Sequence, residues 1–206
     1  MRSGFKRSQQ GYSLAEMLVV IAIIGVLSLI SVPAFMNFKR SADFKASMRA
    51  FTTDIRNARA SAIANSFDVR VELANVGTAN SAKNPYYFYS SRDNGVTWTQ
   101  LTQPGATKDP ANPTAKPNMK EISNTAVWLE STTNLPDFSM NNPSAPATPV
   151  ANGMPDLVFH PNGMCTIVGG ANATIVLRTN WKKIAFDKYT ITFSPAGQFT
   201  VVGSHT

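Results

Sequence analysis

Gly11-Tyr12-Ser13-Leu14-Ala15-Glu16, followed by the uncharged run Met17–Phe38, decides how this chain is built. A leader with Arg2, Lys6 and Arg7 and no acid precedes it. The run holds 22 residues. As a helix that is about 33 Å, enough to cross a bilayer. One carboxylate, Glu16, stands at its edge. A charge costs roughly 2.5–3.5 kcal/mol at mid-bilayer and less near the rim, so something must compensate for it. An amine created four residues earlier, by cutting after Gly11, is the obvious partner.

Two simpler readings compete. An ordinary secretory signal has an apolar core of about 7–15 residues and then a small-residue cleavage site. This run is longer, and Glu16 would interrupt its start. A plain anchor helix explains the length, but not Gly11, Glu16 and Pro33 together.

The stretch resembles the class III signal of type IV prepilins and type II secretion pseudopilins. The resemblance implies cleavage after Gly11 by a prepilin peptidase and N-methylation of the new terminus, Tyr12, where the family usually has Phe. It implies that Glu16, fifth in the mature chain, neutralises a neighbouring subunit's terminus during filament assembly. Pro33 falls where many members carry a helix-kinking proline. The implied cycle runs from a single-pass inner-membrane protein to a periplasmic or cell-surface filament.

The helical pattern continues past the run. Phe44, Met48, Phe51, Ile55, Ala58 and Ala62 recur at spacings of three and four, within a stripe of about 80° at 100° per residue. One helix of roughly 50 residues is expected, about 75–80 Å long, with Gly25 and Pro33 as weak points. Lys45, Arg49 and Arg56 fall on one flank of the stripe, Asp43 and Asp54 on the other. A solvated surface explains each charge singly. Opposite flanks as a set suit head-to-tail helix packing.

After Asn65 the period becomes two. Asp68–Leu73 reads as a strand. Tyr86–Ser91, the turn Asp93-Asn94-Gly95 and Val96–Leu101 read as a hairpin. From about 103 to 155 the chain is polar and proline-rich, an irregular excursion with one short strand candidate, Thr125–Glu130. Then come strand candidates Leu157–His160, Cys165–Val168, Ala173–Thr179, Lys183–Phe186, Tyr189–Phe193 and Phe199–Val202, read as an antiparallel meander. Two turns share a chemistry: Phe159-His160-Pro161-Asn162-Gly163 and Phe193-Ser194-Pro195-Ala196-Gly197.

Those turns, and the helix end Asp54–Ile63 running at once into a strand, are most similar to GspH/FimT-type minor pilins and pseudopilins. The implied fold class is α+β, the type IV pilin fold: a long N-terminal helix packed on a C-terminal antiparallel sheet domain. The expected divisions are a leader at 1–11, a transmembrane or filament-core helix at 12–38, the amphipathic half-helix at 39–66, and a β-rich domain at 67–206. The proline-rich insert matches nothing in that pattern.

Composition excludes more than it assigns. The chain has 206 residues, is 43% hydrophobic and 15% charged, and carries a net charge of +7. Without Arg2, Lys6 and Arg7 that charge falls to +4, so a nucleic-acid partner is allowed but not demanded. The single cysteine, Cys165, permits no intrachain disulfide. It lies in an apolar stretch and reads as a buried structural thiol. His160 and His205 are the only histidines. They form no metal-ligand spacing, and His160 reads as a strand-end residue. No phosphate-binding loop or nucleophile elbow is present, and the β region holds no acid pair at plausible helix spacing. No cofactor is expected and no enzymatic activity.

The expected function is that of a structural subunit, a minor pilin or pseudopilin at the tip or in the priming complex. Its partners would be other pilin subunits, the prepilin peptidase and the inner membrane. The alternative is DNA binding for uptake. Some FimT-type pilins carry Gly-Arg-x-Arg near the C-terminus, but here the turns read Gly163-Met164-Cys165 and Gly197-Gln198-Phe199, without the arginines that phosphate contacts need.

Overall fold

The computed structural model describes residues 12–74, 76–77, 84–108, 116–122, 126–136, 155–169, 172–181 and 187–205. The leader, the strand candidate Lys183–Phe186 and most of the proline-rich stretch lie outside these residues. Helix α1 covers Leu14–Asn65, with Pro33 inside it. Among the described residues nine strands follow: β1 (Asp68–Leu73), β2 (Pro85–Ser91), β3 (Thr99–Gln100), β4 (Met119–Glu121), β5 (Val127–Thr133), β6 (Asp156–Phe159), β7 (Ala173–Thr179), β8 (Lys188–Phe193) and β9 (Phe199–Ser204). Two compact units emerge, Met1–Lys39 and Arg40–Thr206.

In the first unit the apolar side chains of α1 are exposed all round, from Leu18 and Ile21 through Ile24 and Leu27 to Ile30 and Phe35. A helix apolar on every side is made for a non-aqueous surround.

In the second unit α1 buries one stripe. Phe44, Phe51, Ile55, Ala58 and Ala62 are each at most 1% exposed, and Met48 packs against them. This is the expected stripe, and it meets two sheets. Phe44 touches Tyr189 of β8, with ring centroids 4.8 Å apart. Phe51 meets Tyr86 of β2 edge-on at 5.2 Å. The first sheet has the order β3-β2-β1-β6, with β4 also paired to β2. The second has the order β5-β7-β8-β9. Every pairing is antiparallel.

The chain therefore departs from the expected single meander. Among the described strands of the C-terminal third, β7-β8-β9 runs as one. β6 crosses to the first sheet and pairs with β1, matching Val71 to Leu157. β5 joins the second sheet through β7. Cys165–Val168 is not a strand; it is held by one bridge, Phe159 to Cys165, and by single backbone bonds. The second hairpin arm is also shorter than its sequence pattern, with Thr99 and Gln100 paired to Ser90 and Tyr89. Val96 stays 53% exposed. The excursion holds a strand the pattern does not show, β4, whose Lys120 lies opposite Tyr86.

The flanking charge Asp54 turns inward. It is 8% exposed, accepts a hydrogen bond from Tyr86 Oη at 2.6 Å, and pairs with Lys120 Nζ at 2.5 Å. A carboxylate removed from water needs such partners. Burial, and then the bond to Asp54, push the Tyr86 hydroxyl far above its ordinary pKa. The Asp43/Asp54 flank is therefore not a continuous solvated acidic face.

β1 is buried on both faces. Its inward residues Val69, Val71 and Leu73 join the core. Arg70 is 0% exposed on the other face. Its guanidinium meets Glu72 at 3.2 Å and Asp156 at 3.6 Å, and lies 4.8 Å from the Tyr89 ring and 5.0 Å from the Trp98 ring. Two acids and two aromatic faces replace the water this cation gives up.

Candidate functional site: the helix start and the turn cluster

Of the expected site residues, Glu16 and Pro33 lie on α1 within the first unit and Tyr12 stands just before the helix. Gly11 lies outside the described residues. Tyr12 is 80% exposed. Glu16 stands in the first helical turn, and Pro33 lies inside the same helix, roughly four to five turns further on at 3.6 residues per turn. The two are not brought together.

What the structure does bring to Glu16 is Ser13. Ser13 N donates to Glu16 Oε2 at 2.8 Å, and Glu16 N donates to Ser13 Oγ at 3.2 Å. This reciprocal pair is a capping box, which satisfies two amides the helix start would leave open. The carboxylate also sits where the helix dipole favours negative charge. Its signature, Ser-x-x-Glu before an apolar run, is legible in the sequence, and Ser13 is the functional residue the expectations omit. One bond from Ser13 leaves acceptor sites on the Glu16 carboxylate, which has about four. The cap and an outside amine can therefore share it.

The stretch around these residues is long and apolar enough to cross a membrane, and none of its most apolar window is buried. Gly25 sits within it, and a Cβ there would meet nothing within 4 Å. Glycine inside a helix costs about 1 kcal/mol relative to alanine, and the folded chain itself gives no return for it.

The second cluster forms where the two proline-glycine turns meet. Cys165 N donates to Pro195 O at 2.9 Å, linking the first turn region to the second. Arg59 of α1 clamps both: Nε donates to Gly163 O at 2.9 Å and Nη2 to Ala196 O at 3.2 Å. Gly163 and Gly197 take φ of 79° and 71°. A Cβ on Gly197 would collide with Gly163 O and lie 2.8 Å from Arg59 Nε. Only glycine fits there. The repeated turn is thus a docking device that joins both sheets to the helix.

Beside it, His160 Nδ1 lies 2.8 Å from Asp68 Oδ1 and Nε2 lies 2.7 Å from Thr166 Oγ1. Carboxylate, imidazole and hydroxyl stand in the order of a nucleophile relay. A hydrolytic site also needs amide donors aimed at an oxyanion, and Thr166 N is already spent on Val158 O at 2.9 Å. The three residues tie β1 and the end of β6 to the segment after the turn. Cys165 is 4% exposed, and burial pushes its thiol up to about 12. At neutral pH it holds its proton and is a poor nucleophile. Among the described residues no group of three or more His, Cys, Asp or Glu is placed to hold a metal ion.

On the hairpin turn, Asp93 accepts bonds from Ser91 Oγ at 2.6 Å and from Thr97 N and Oγ1 at 2.8 and 2.5 Å. The Ser91 bond, then those from Thr97, lower its pKa to about 2.

Comparison with known proteins gives a sequence match at the N-terminus. The prokaryotic N-terminal methylation motif covers residues 6–32. No curated protein is similar enough in sequence to count as a relative. Among solved structures, the chain is similar to the minor pseudopilin EpsH from the type II secretion system of Vibrio cholerae. The identity is 14% and the TM-score 0.46, over 81% of this chain and 97% of that one. It is also similar to the type IV minor pilin FimU of Pseudomonas aeruginosa. There the identity is 11% and the TM-score 0.43, over 80% of this chain and 92% of that one.

Proposed function

We propose that this chain is a structural, non-enzymatic subunit of a type IV pilus or type II secretion pseudopilus, in a minor, tip or priming position. The observation that carries the reading is the methylation motif at residues 6–32, which runs into the stretch of α1 whose apolar side chains stay exposed among the described residues. In this reading a peptidase cuts after Gly11, Tyr12 is methylated, and the helix is stored in the inner membrane. Extraction follows when other subunits' helices cover it. Glu16 keeps its bond to Ser13 and offers its remaining oxygen sites to a neighbour's terminal amine. Gly25 supports close helix approach, the use small residues have between apolar helices. Pro33 is tolerated because neighbours can satisfy the groups it frees.

The test is intact mass from cells with a working prepilin peptidase. The expected product lacks residues 1–11 and carries one added methyl on Tyr12; a chain still beginning at Met1 would overturn the reading. Glu16→Ala should insert in the membrane as well as the parent, since a charge is removed, yet fail to enter filaments. Assembly at the parental level would remove the role given to Glu16.

A further inference from the structure

We propose that the groove between α1 and β9 binds an extended segment of another polypeptide that presents a carboxylate and adds to the second sheet as a strand beyond β9. Both walls belong to the second unit, so the inference stands apart from the assembly role of the first.

One end of the groove is an open hollow of about 470 Å³ lined by Arg56, Arg59, Ala60, Ile63, Gln198 and Phe199. The four helix residues are spaced to share one face. Arg70 and Arg178 each meet an acid, Arg178 bonding Glu130. Arg56 and Arg59 meet none among the described residues. Both are nonetheless held in place. Arg59 is fixed by the carbonyls of Gly163 and Ala196. Arg56 lies with its guanidinium carbon 5.0 Å from the Phe199 ring centroid. A planar cation stacked on a ring, with its fork open, is preorganised for a carboxylate. Ile63, 47% exposed, adds an apolar contact beside it.

The open side of the groove is the edge of β9, which starts at this cavity. Edge strands are usually blunted by a charge, a proline, a bulge or a cover. Phe199-Thr200-Val201-Val202-Gly203-Ser204 has no charge and no proline, and it pairs with β8 in unbroken register. The outer edges of β6 and β5 are covered: Thr166 N bonds Val158 O at 2.9 Å, and Gly77 N bonds Leu129 O at 2.8 Å. Among the described residues no backbone bond covers the outer edge of β9. Strand addition supplies main-chain hydrogen bonds, and one anchored side chain fixes register. The strand edge favours a peptide over a nucleic acid. A nucleic acid can use the arginines but not the main-chain groups of β9, whereas an extended acidic peptide engages both.

The test pans a random heptapeptide display library against the full chain in detergent micelles. Enriched peptides should share an acidic residue near one end and β-branched residues at alternate positions. Replacing the acid by its amide, or Arg56 by Ala, should each weaken a selected peptide about tenfold or more, the scale of one charge-assisted contact. The two changes together should cost little more than one. Methylating alternate backbone nitrogens of the peptide should abolish binding. Arg56→Ala removes the stacking on Phe199 but no turn contact, so its thermal melt should stay cooperative and fall only slightly. Arg59→Ala is avoided because that side chain holds the turns. No enrichment, enrichment without an acid, indifference to Arg56→Ala or to N-methylation would each overturn the proposal. So would Arg56-dependent binding of an oligothymidylate that displaces the peptides, which would make the cavity a phosphate site.

Discussion

The two stretches of α1, Met17–Phe38 and Phe44–Ala62, both carry apolarity, and they dispose of it in opposite ways. In the first every face carries it, with Ile21 60% and Ile30 72% exposed. In the second it is gathered into one stripe against two sheets. A uniform helix is written for an apolar surround, whereas a striped helix is written for one packed face and one wet face. The same residue types therefore mean different things at different periods.

One substitution placed in each stretch breaks the comparison most sharply. Phe51→Asp puts an unpaired charge where a ring is 1% exposed against Tyr86. The expected cost is about 4 kcal/mol or more, enough to abolish a cooperative melt. Phe35→Asp, at a residue 64% exposed, should shift that melt by no more than about 0.5 kcal/mol. It should instead weaken bilayer insertion by up to roughly 2.5–3.5 kcal/mol, read by alkaline extraction of membranes. Equal effects on the melt would erase the distinction between the stretches.

A smaller effect tests whether the second stretch also holds charge inward. Asp54→Ala leaves Lys120 without its carboxylate and Tyr86 without its acceptor. The pair is slightly solvated, at 14% and 11% exposed, so the expected loss is about 2–3 kcal/mol in denaturant unfolding, below that of a fully buried pair. A loss under about 0.5 kcal/mol would return Asp54 to the solvated flank.

Cys165 reports on the same core without a mutation. The unfolded thiol titrates near 9 and the folded one is pushed up to about 12. Below pH 9 both states hold the proton and the thiol adds no pH dependence. As pH rises from 9 toward 12 the unfolded chain releases a proton the folded chain keeps, so stability falls. Alkylation at pH 8 should be slow in the native chain and fast in denaturant. Equal rates would mean the core around Cys165 is open. The smallest effect belongs to the first stretch, whose start is held by local bonds. Ser13→Ala should cost about 1 kcal/mol, confined to faster amide exchange in the first helical turn, with the global melt unchanged.

Much of this was legible in the sequence because it is local. The stripe from Phe44 to Ala62 and strands β1, β2, β7, β8 and β9 follow from periodicity within a few residues. The division into two sheets does not, because it depends on which strand β6 chooses, and β1 lies far behind it in the chain. β4 escaped for a related reason: Met119–Glu121 is too short to show a period and is held by pairing with Tyr86 and its neighbours. Cys165–Val168 has strand composition, yet it is a cover for β6 bonded through single contacts. Asp54 read as an outer charge because a helical wheel cannot show that Lys120 and Tyr86 reach it. In the candidate site Glu16 was legible, and so was its cap, since Ser13 stands at the capping spacing. The Arg59 clamp was half visible: the twin turns repeat in the sequence, but the distant arginine that joins them carries no local signal.

The crossing of β6 back to β1 has a consequence for how this chain can vary. Sheet closure there depends on the ends of a connection, not on its contents. Those ends are pinned: Leu135 packs on the core, Val168 N donates to Asn134 O, Asp156 N to Pro136 O and Leu73 N to Pro155 O. The entropy of closing a flexible loop grows only with the logarithm of its length, about 0.6 kcal/mol per doubling. A lineage that keeps Asn134, Leu135, Pro136 and Pro155 in place, with Val71 still meeting Leu157, could therefore change the length between them at little cost to folding.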